Sequence, residues 1–154
     1  ERDRGLYEED VYLKQFQELD PEDAEDIEKV IRGTGGTIHK RPYADTWVKY
    51  LKSKGYHVYI LSNYSSYMLD HTKKELTFRR EMDGEVFSCY ANQLKPDAEI
   101  YQTILNKYQL KPEECVFIDD RPENCRGAQE QGIHTICFKD FKQVTADLEK
   151  LGVK

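Results

Sequence analysis

No run of apolar residues in this chain approaches the roughly 18 that a helical membrane span requires, and no signal-peptide pattern opens it. A membrane partner and a cleaved leader are therefore not expected. The four cysteines, Cys89, Cys115, Cys125 and Cys137, lack CxxC spacing, and the scattered His39, His57, His71 and His134 supply no metal-ligand spacing, so a zinc site is not expected. Cys115 and Cys137 lie within apolar runs and read as buried free thiols of a reducing compartment, with the cytoplasm as the expected location. Gly33-Thr34-Gly35-Gly36-Thr37 contains no GKS or GKT and follows no strand, which argues against a phosphate loop and for a hinge between two substructures. Internal repeats and low-complexity segments are absent, as is an initiator methionine.

What is present fits one domain with a small appendage in 154 residues. Charged residues make up 34% and hydrophobic residues 38%, while 12% aromatics provide material for a core. The net charge of −6 is uneven, because residues 1–30 carry 12 Asp/Glu against 4 Lys/Arg. An acidic opening followed by a near-neutral body gives no encouragement to nucleic-acid or anionic-membrane binding, and neither partner is expected. The acidic stretch reads as a solvated helical face.

The first 31 residues read as two helices. Residues 8–19 place Tyr12, Phe16 and Leu19 on one stripe, and Asp20-Pro21 supplies an N-cap and a first-turn proline for a second helix carrying Ala24, Ile27 and Ile31. From Arg41 the pattern becomes alternating helix and strand. Pro42 opens a helix with Ala44, Trp47, Val48 and Leu51 at core spacing, and Gly55 stops it. Residues 56–61 read as a strand covered on both faces. Helices are expected at 65–76, 97–109, 122–131 and 141–151, a weaker strand at 85–90, and buried strands at 115–118 and 133–138. Such alternation specifies an α/β domain of three layers with a mainly parallel sheet. Residues 1–40 form the appendage and hinge, and residues 41–154 the core.

Three polar groups fall at or beside the carboxyl ends of strands, where open α/β sheets gather their chemistry. Tyr59-Ile60-Leu61 runs into Ser62-Asn63, Val116-Phe117-Ile118 into Asp119-Asp120, and the weak strand leads to Lys95-Pro96. Adjacent carboxylates repel, so the acidic pair needs a cation or helix N-terminal amides nearby. Oxygen-only donors with carboxylates suit Mg²⁺, and a lysine with a hydroxyl suits phosphoryl oxygens. An attacking group is not evident: Ser62 has no histidine at a strand end to activate it.

These residues resemble three motifs of the haloacid dehalogenase superfamily: Tyr59-Ile60-Leu61-Ser62-Asn63 the second, Leu94-Lys95-Pro96-Asp97-Ala98-Glu99-Ile100-Tyr101 the third, and Val116 through Asn124 the fourth. The extended K-P-x-x-x-I-Y and D-D-x-x-x-N forms are most similar to phosphatases related to the N-terminal domain of soluble epoxide hydrolase. The resemblance implies a Rossmann-like core and a Mg²⁺-dependent phosphatase acting through an aspartyl-phosphate on a small phosphorylated substrate. It implies that Ser62 binds a phosphoryl oxygen, Asn63 helps to position the substrate, and Lys95 binds the phosphoryl group and neutralises the carboxylates. Asp120 is implied as a direct metal ligand, Asp119 as a direct or water-mediated one, and Asn124 as support for the fourth-motif loop. The acidic pair favours a phosphatase over a metal-free dehalogenase; a phosphonatase or phosphomutase shares these motifs.

The resemblance also implies a D-x-D motif at the end of a first strand, and nothing before Arg41 matches it. Asp3, Asp10, Asp20, Asp23 and Asp26 all lie in polar or helical context. The chain is therefore expected to begin partway through a helical cap, to lack the central strand between those ending at Ser62 and Asp119, and to be inactive alone. Exposed strand edges make self-association an expected property. A naturally shortened, non-catalytic binding module is the alternative reading. A phosphorylation-receiver domain fits less well, since its lysine follows the acidic residues in the chain.

Overall fold

The computed structural model describes residues 2–153. Helices α1 (Glu9–Leu19) and α2 (Ala24–Gly33) pack against each other ahead of a 3-10 turn over Thr34–Thr37. The second helix starts later than Asp20-Pro21 suggests. The Asp20 N–H closes α1 on the Phe16 carbonyl, so the chain needs residues 21–23 to turn before it can wind again. The expected stripe is displaced too: Leu13 is the buried residue of α1, while Phe16 and Leu19 are exposed. The glycine-rich segment expected as a hinge forms a 3-10 turn, closed by the Thr37 hydroxyl donating to the Thr34 carbonyl.

The core follows as α3 (Ala44–Ser53), β1 (Tyr59–Ser62), α4 (Ser66–His71), a 3-10 turn (Thr77–Glu81), β2 (Gly84–Phe87), α5 (Ser88–Ala91) and α6 (Ala98–Tyr108). A 3-10 turn (Pro112–Glu114) then leads to β3 (Val116–Asp119), α7 (Pro122–Glu130), β4 (His134–Cys137) and α8 (Phe141–Lys150). Both strand pairs are parallel: β1 with β2, and β3 with β4. The α/β architecture with parallel pairing is as expected.

Among the described residues no strand joins the two pairs. The β1 edge bonded to β2 includes the Val58 carbonyl, which accepts from Asp83 N–H, and the β3 edge bonded to β4 includes the carbonyls of Cys115 and Asp119. Backbone groups alternate sides along a strand, so Tyr59 and Leu61 on β1, and Val116 and Ile118 on β3, point away from their partners. This also corrects the burial expected of the strands. All four residues of β1 and all four of β3 are half-buried, because each strand has one unpaired edge. Cys115 and Cys137 are likewise half-buried, and the buried thiols are Cys89 and Cys125.

The deepest packing lies beneath the three motifs. Ile100 and Tyr101 of α6 and Ala128 of α7 are completely covered and cluster with Val86, Ile104 and Ile133. A second cluster joins Val144 and Leu148 of α8 to Ile136 of β4, with Trp47 of α3 packed against it. Burying each such side chain stabilises the fold by about 1.5–3 kcal/mol. The expected motif-bearing segments are thus anchored by the best-packed elements.

Candidate active site

The carboxyl ends of β1 and β3 are joined through Lys95. Its ammonium donates to the Leu61 carbonyl at 2.9 Å and to Asp119 Oδ2 at 2.6 Å. Both side chains of the Lys95–Asp119 pair are only 8% exposed, which places this ion pair in a different class from the solvated ones elsewhere on the surface. An ammonium has three N–H donors, and the third has no hydrogen-bond acceptor among the described residues; the Phe117 ring centroid lies 5.3 Å from Nζ.

Asp119 is bonded on both oxygens. Oδ1 accepts from the Arg121 backbone N–H and from Asn124 Nδ2, each at 2.9 Å, and Oδ2 takes Lys95. Burial alone would raise the carboxyl's pKa. The Lys95 ammonium, the Arg121 amide and Asn124 together outweigh that and hold it below its ordinary value. Asn124 is itself buried, in the first turn of α7, where Pro122 starts the helix at the position a proline tolerates best. Its expected role in supporting the fourth-motif loop corresponds to this bond.

Asp120 stands in contrast. It is exposed, and among the described residues its carboxylate has neither a hydrogen bond nor an ion pair. The Ser62 hydroxyl is half-buried and likewise unbonded among the described residues. Asn63 lies between these extremes: its amide bonds both backbone groups of Lys95 rather than a group facing the strand ends. Ser62, Asn63, Lys95, Asp119, Asp120 and Asn124 therefore share one end of the two strand pairs.

Three contributors were not singled out from sequence. The Leu61 carbonyl holds the Lys95 ammonium, and a backbone acceptor carries no residue-type signal. Tyr101 closes the third motif with no role assigned to it by the resemblance, yet its hydroxyl donates to the Asn124 carbonyl at 2.7 Å. Burial, then the nearby Asp119 charge, pushes that phenol's pKa up, so it stays a donor. Gly127 sits inside α7 where a Cβ would lie 2.5 Å from the Pro96 carbonyl oxygen. A glycine within a helical pattern is a sequence signal for such close approach. Behind the acidic pair, Cys125 donates to the Asp119 carbonyl at 3.5 Å, and burial with the neighbouring Cys137 thiol pushes its pKa up to about 11.

The donor set is oxygen-rich, with one free carboxylate and one engaged one. Among the described residues no group of three or more His, Cys, Asp or Glu side chains converges, so these residues fit part of the shell of a hard cation such as Mg²⁺, which keeps several waters. What the arrangement offers an anion is the unbonded Ser62 hydroxyl at the end of β1 and the Lys95 ammonium, which bonds the carbonyl of the preceding residue.

A family model described as haloacid dehalogenase-like hydrolase matches residues 4–132. Flavin mononucleotide hydrolase 1 of Arabidopsis thaliana is 39% identical over 66 residues, covering 43% of this chain and 27% of that protein. Bifunctional epoxide hydrolase 2 of Rattus norvegicus is 30% identical over 107 residues, 66% of this chain and 19% of that protein. A sesquiterpene phosphatase of Aspergillus oryzae is 26% identical over 127 residues, 82% of this chain and 64% of that protein. The chain thus spans less than two thirds of each of these relatives. Among solved structures, the wild-type HAD family enzyme of Bacteroides thetaiotaomicron, in complex with magnesium and inorganic phosphate, has a TM-score of 0.76 at 22% identity, covering 93% of this chain and 76% of that one. A HAD-like family hydrolase of Porphyromonas gingivalis gives 0.76 at 21% identity, covering 99% of this chain and 77% of that one. At these identities the likeness is one of fold.

Proposed function

The chain belongs to the haloacid dehalogenase-like hydrolase family, and from that premise we propose that it forms the phosphate- and Mg²⁺-binding side of a phosphatase for small phosphorylated metabolites. The observation that carries this reading is a division of labour at the strand ends. Asp119, Asn124 and Asn63 are spent on holding one another and Lys95, whereas the Ser62 hydroxyl, the third N–H of Lys95 and the Asp120 carboxylate remain available. A hydroxyl and an ammonium match phosphoryl oxygens, and a free carboxylate matches a hard cation. Two relatives named a flavin mononucleotide hydrolase and a sesquiterpene phosphatase support the same class of substrate.

In this reading Ser62 donates to one phosphoryl oxygen, and Lys95 donates to another while its positive charge offsets that of the group. Asp120 holds the metal, and Asp119 assists once its bonds to Lys95, Arg121 and Asn124 are shared. Mg²⁺, when bound, offsets the negative charge of the phosphoryl oxygens. The reaction would need a further carboxylate to attack phosphorus and an acid to protonate the departing ester oxygen, after which water would cleave the aspartyl-phosphate and release phosphate. The described residues supply no strand between β1 and β3 to carry that carboxylate, so the chain alone binds phosphate without turnover. The same observation favours a second reading, a non-catalytic phosphate-binding module.

Residues 1–40 would act as a helical cap and hinge over a 41–154 core. The unpaired edges of β1 and β3 offer pairing to another strand, including one from a second copy. Among the described residues no helix is long and apolar enough to cross a membrane, and four free thiols suit a reducing compartment such as the cytoplasm. Calorimetric titration of the 154-residue chain with inorganic phosphate tests the cradle. Binding should require Mg²⁺ and weaken in Ser62→Ala, and no binding at millimolar phosphate with Mg²⁺ would sink it. Lys95-dependent hydrolysis of an aryl phosphate by this chain would instead refute its inactivity.

A further inference from the structure

Asn63 directly follows the motif-two serine at the end of β1, and the resemblance assigns it to the substrate. Its bonds point elsewhere. Its side-chain Oδ1 accepts from the Lys95 backbone N–H at 2.9 Å, and its Nδ2 donates to the Lys95 carbonyl at 2.9 Å. A carboxamide and a peptide unit are matched donor–acceptor pairs, so one side chain engages both polar backbone groups of a single residue 32 positions away. The same lysine is held at its far end by the Leu61 carbonyl and Asp119. Leu61, Ser62 and Asn63 are consecutive. The tip of β1 therefore grips Lys95 at its ammonium through Leu61 and at its backbone through Asn63, and Ser62 is the residue between the two that hold it.

From this geometry we infer that Asn63 is a positioning residue for Lys95 rather than a substrate ligand: its amide fixes the lysine backbone, so that the ammonium arrives beside Ser62 with one N–H free for a phosphoryl oxygen. The role rests on the phosphate-cradle reading of Ser62 and Lys95. Without the clamp, the lysine retains its charge and its bond to Asp119, but the loop bearing it is no longer tied to the strand that carries the hydroxyl. A long side chain anchored only at its tip samples more rotamers, and ordering it then falls to the ligand. Lysine and serine would bind phosphate as two loosely coupled donors instead of one preset pair.

The test uses the full 154-residue chain as wild type, Asn63→Ala, Asn63→Asp and Ser62→Ala, with two readouts. Amide hydrogen exchange by NMR reads the Lys95 N–H. Calorimetry with inorganic phosphate and Mg²⁺ reads the cradle. In Asn63→Ala the Lys95 amide should exchange roughly tenfold faster or more, while the Phe138 amide, bonded to the Asp119 carbonyl, keeps its protection. Asn63→Asp retains the acceptor and should preserve much of that protection, which a general loosening of the site would not do. Phosphate affinity should fall about tenfold in Asn63→Ala. Ser62→Ala should weaken phosphate binding and leave Lys95 exchange unchanged. Should Asn63→Ala fail to fold, Asn63→Ser, whose short side chain cannot bond both backbone groups of Lys95, carries both measurements with the outcomes expected of Asn63→Ala. Unchanged Lys95 exchange in a folded Asn63→Ala chain overturns the inference, as does phosphate freeing the Lys95 amide while shifting the Asn63 side-chain amide resonances. If wild type binds no phosphate, the functional proposal fails while the exchange arm still decides the clamp.

Discussion

Lys95 Nζ and Asp119 Oδ2 lie 2.6 Å apart with both side chains almost fully covered, and because the same ammonium donates to the Leu61 carbonyl, Lys95 ties the end of β1 to the end of β3. Its energetics are asymmetric. Two buried charges repay their desolvation only while both are present, and removing one leaves the other uncompensated. Lys95→Met should therefore lower unfolding stability by about 3–5 kcal/mol, read by urea denaturation at neutral pH. Adding Asp119→Asn to it should recover part of that loss. A single variant as stable as wild type would mean that the pair is solvated in solution.

The same pair sets an acid dependence with a definite sign. The Asp119 carboxyl is held below its ordinary value of 3.8 in the folded chain. Its contribution is thus fully present above that value and is lost as pH falls through the depressed folded one. Wild type should lose stability progressively below about pH 4. Other paired carboxylates add to that slope, so the informative quantity is the difference between wild type and Lys95→Met. That difference should shrink as the solution is acidified. A gap independent of pH from 7 to about 3 contradicts the depressed carboxyl.

Much of this was legible in the sequence where local pattern and tertiary structure agree. The last strands and helices begin and end within a residue of expectation, because apolar strand runs are separated there by Pro122 and by a capping Asp140, whose side chain accepts from the Gln143 N–H. Legibility failed where side chains competed with the backbone. The helix expected to reach Leu76 stops at His71, since the Thr72 hydroxyl bonds the Met68 carbonyl and meets the Tyr64 hydroxyl. The strand expected to reach Tyr90 ends at Phe87, where the Ser88 hydroxyl is taken by the Tyr64 N–H and the Asp3 carbonyl. The site residues could be named from their motifs, but their division into held and free groups could not. Which atoms Asn63 meets depends on a loop 32 residues away, and no local pattern encodes that.

Gly127 offers a test in which two effects of opposite sign compete. An alanine within a helix is favoured over glycine by about 1 kcal/mol. Here the added methyl would meet the Pro96 backbone carbonyl at 2.5 Å and the Tyr101 ring at 3.1 Å. Neither is the flexible end of a side chain, and overpacking of this kind costs about 1–3 kcal/mol. Gly127→Ala should be net destabilising. Gly33→Ala, at the end of α2 with nothing within 4 Å of its Cβ position, should be neutral or mildly stabilising. Thermal unfolding of both variants separates the cases, and a stabilised Gly127→Ala would show that α7 stands farther from the third-motif loop.

The two adjacent aspartates should separate cleanly when each is changed to asparagine. Asp119 accepts three hydrogen bonds, from Lys95, Arg121 and Asn124, so Asp119→Asn removes the partner of a buried ammonium and should cost about 3 kcal/mol or more. Asp120 is exposed and its carboxylate is unbonded among the described residues, so Asp120→Asn should leave the urea midpoint unchanged. Divalent-ion affinity should respond in the reverse order of stability. Mn²⁺ binding followed by electron paramagnetic resonance is expected to weaken about tenfold or more in Asp120→Asn, with a fold as stable as wild type. Asp119→Asn, where it remains folded, should retain part of the Mn²⁺ affinity because the free carboxylate is still in place. Equal loss of Mn²⁺ binding in both would show that the acidic pair ligates jointly. Unchanged binding in Asp120→Asn would move the cation away from the end of β3 altogether.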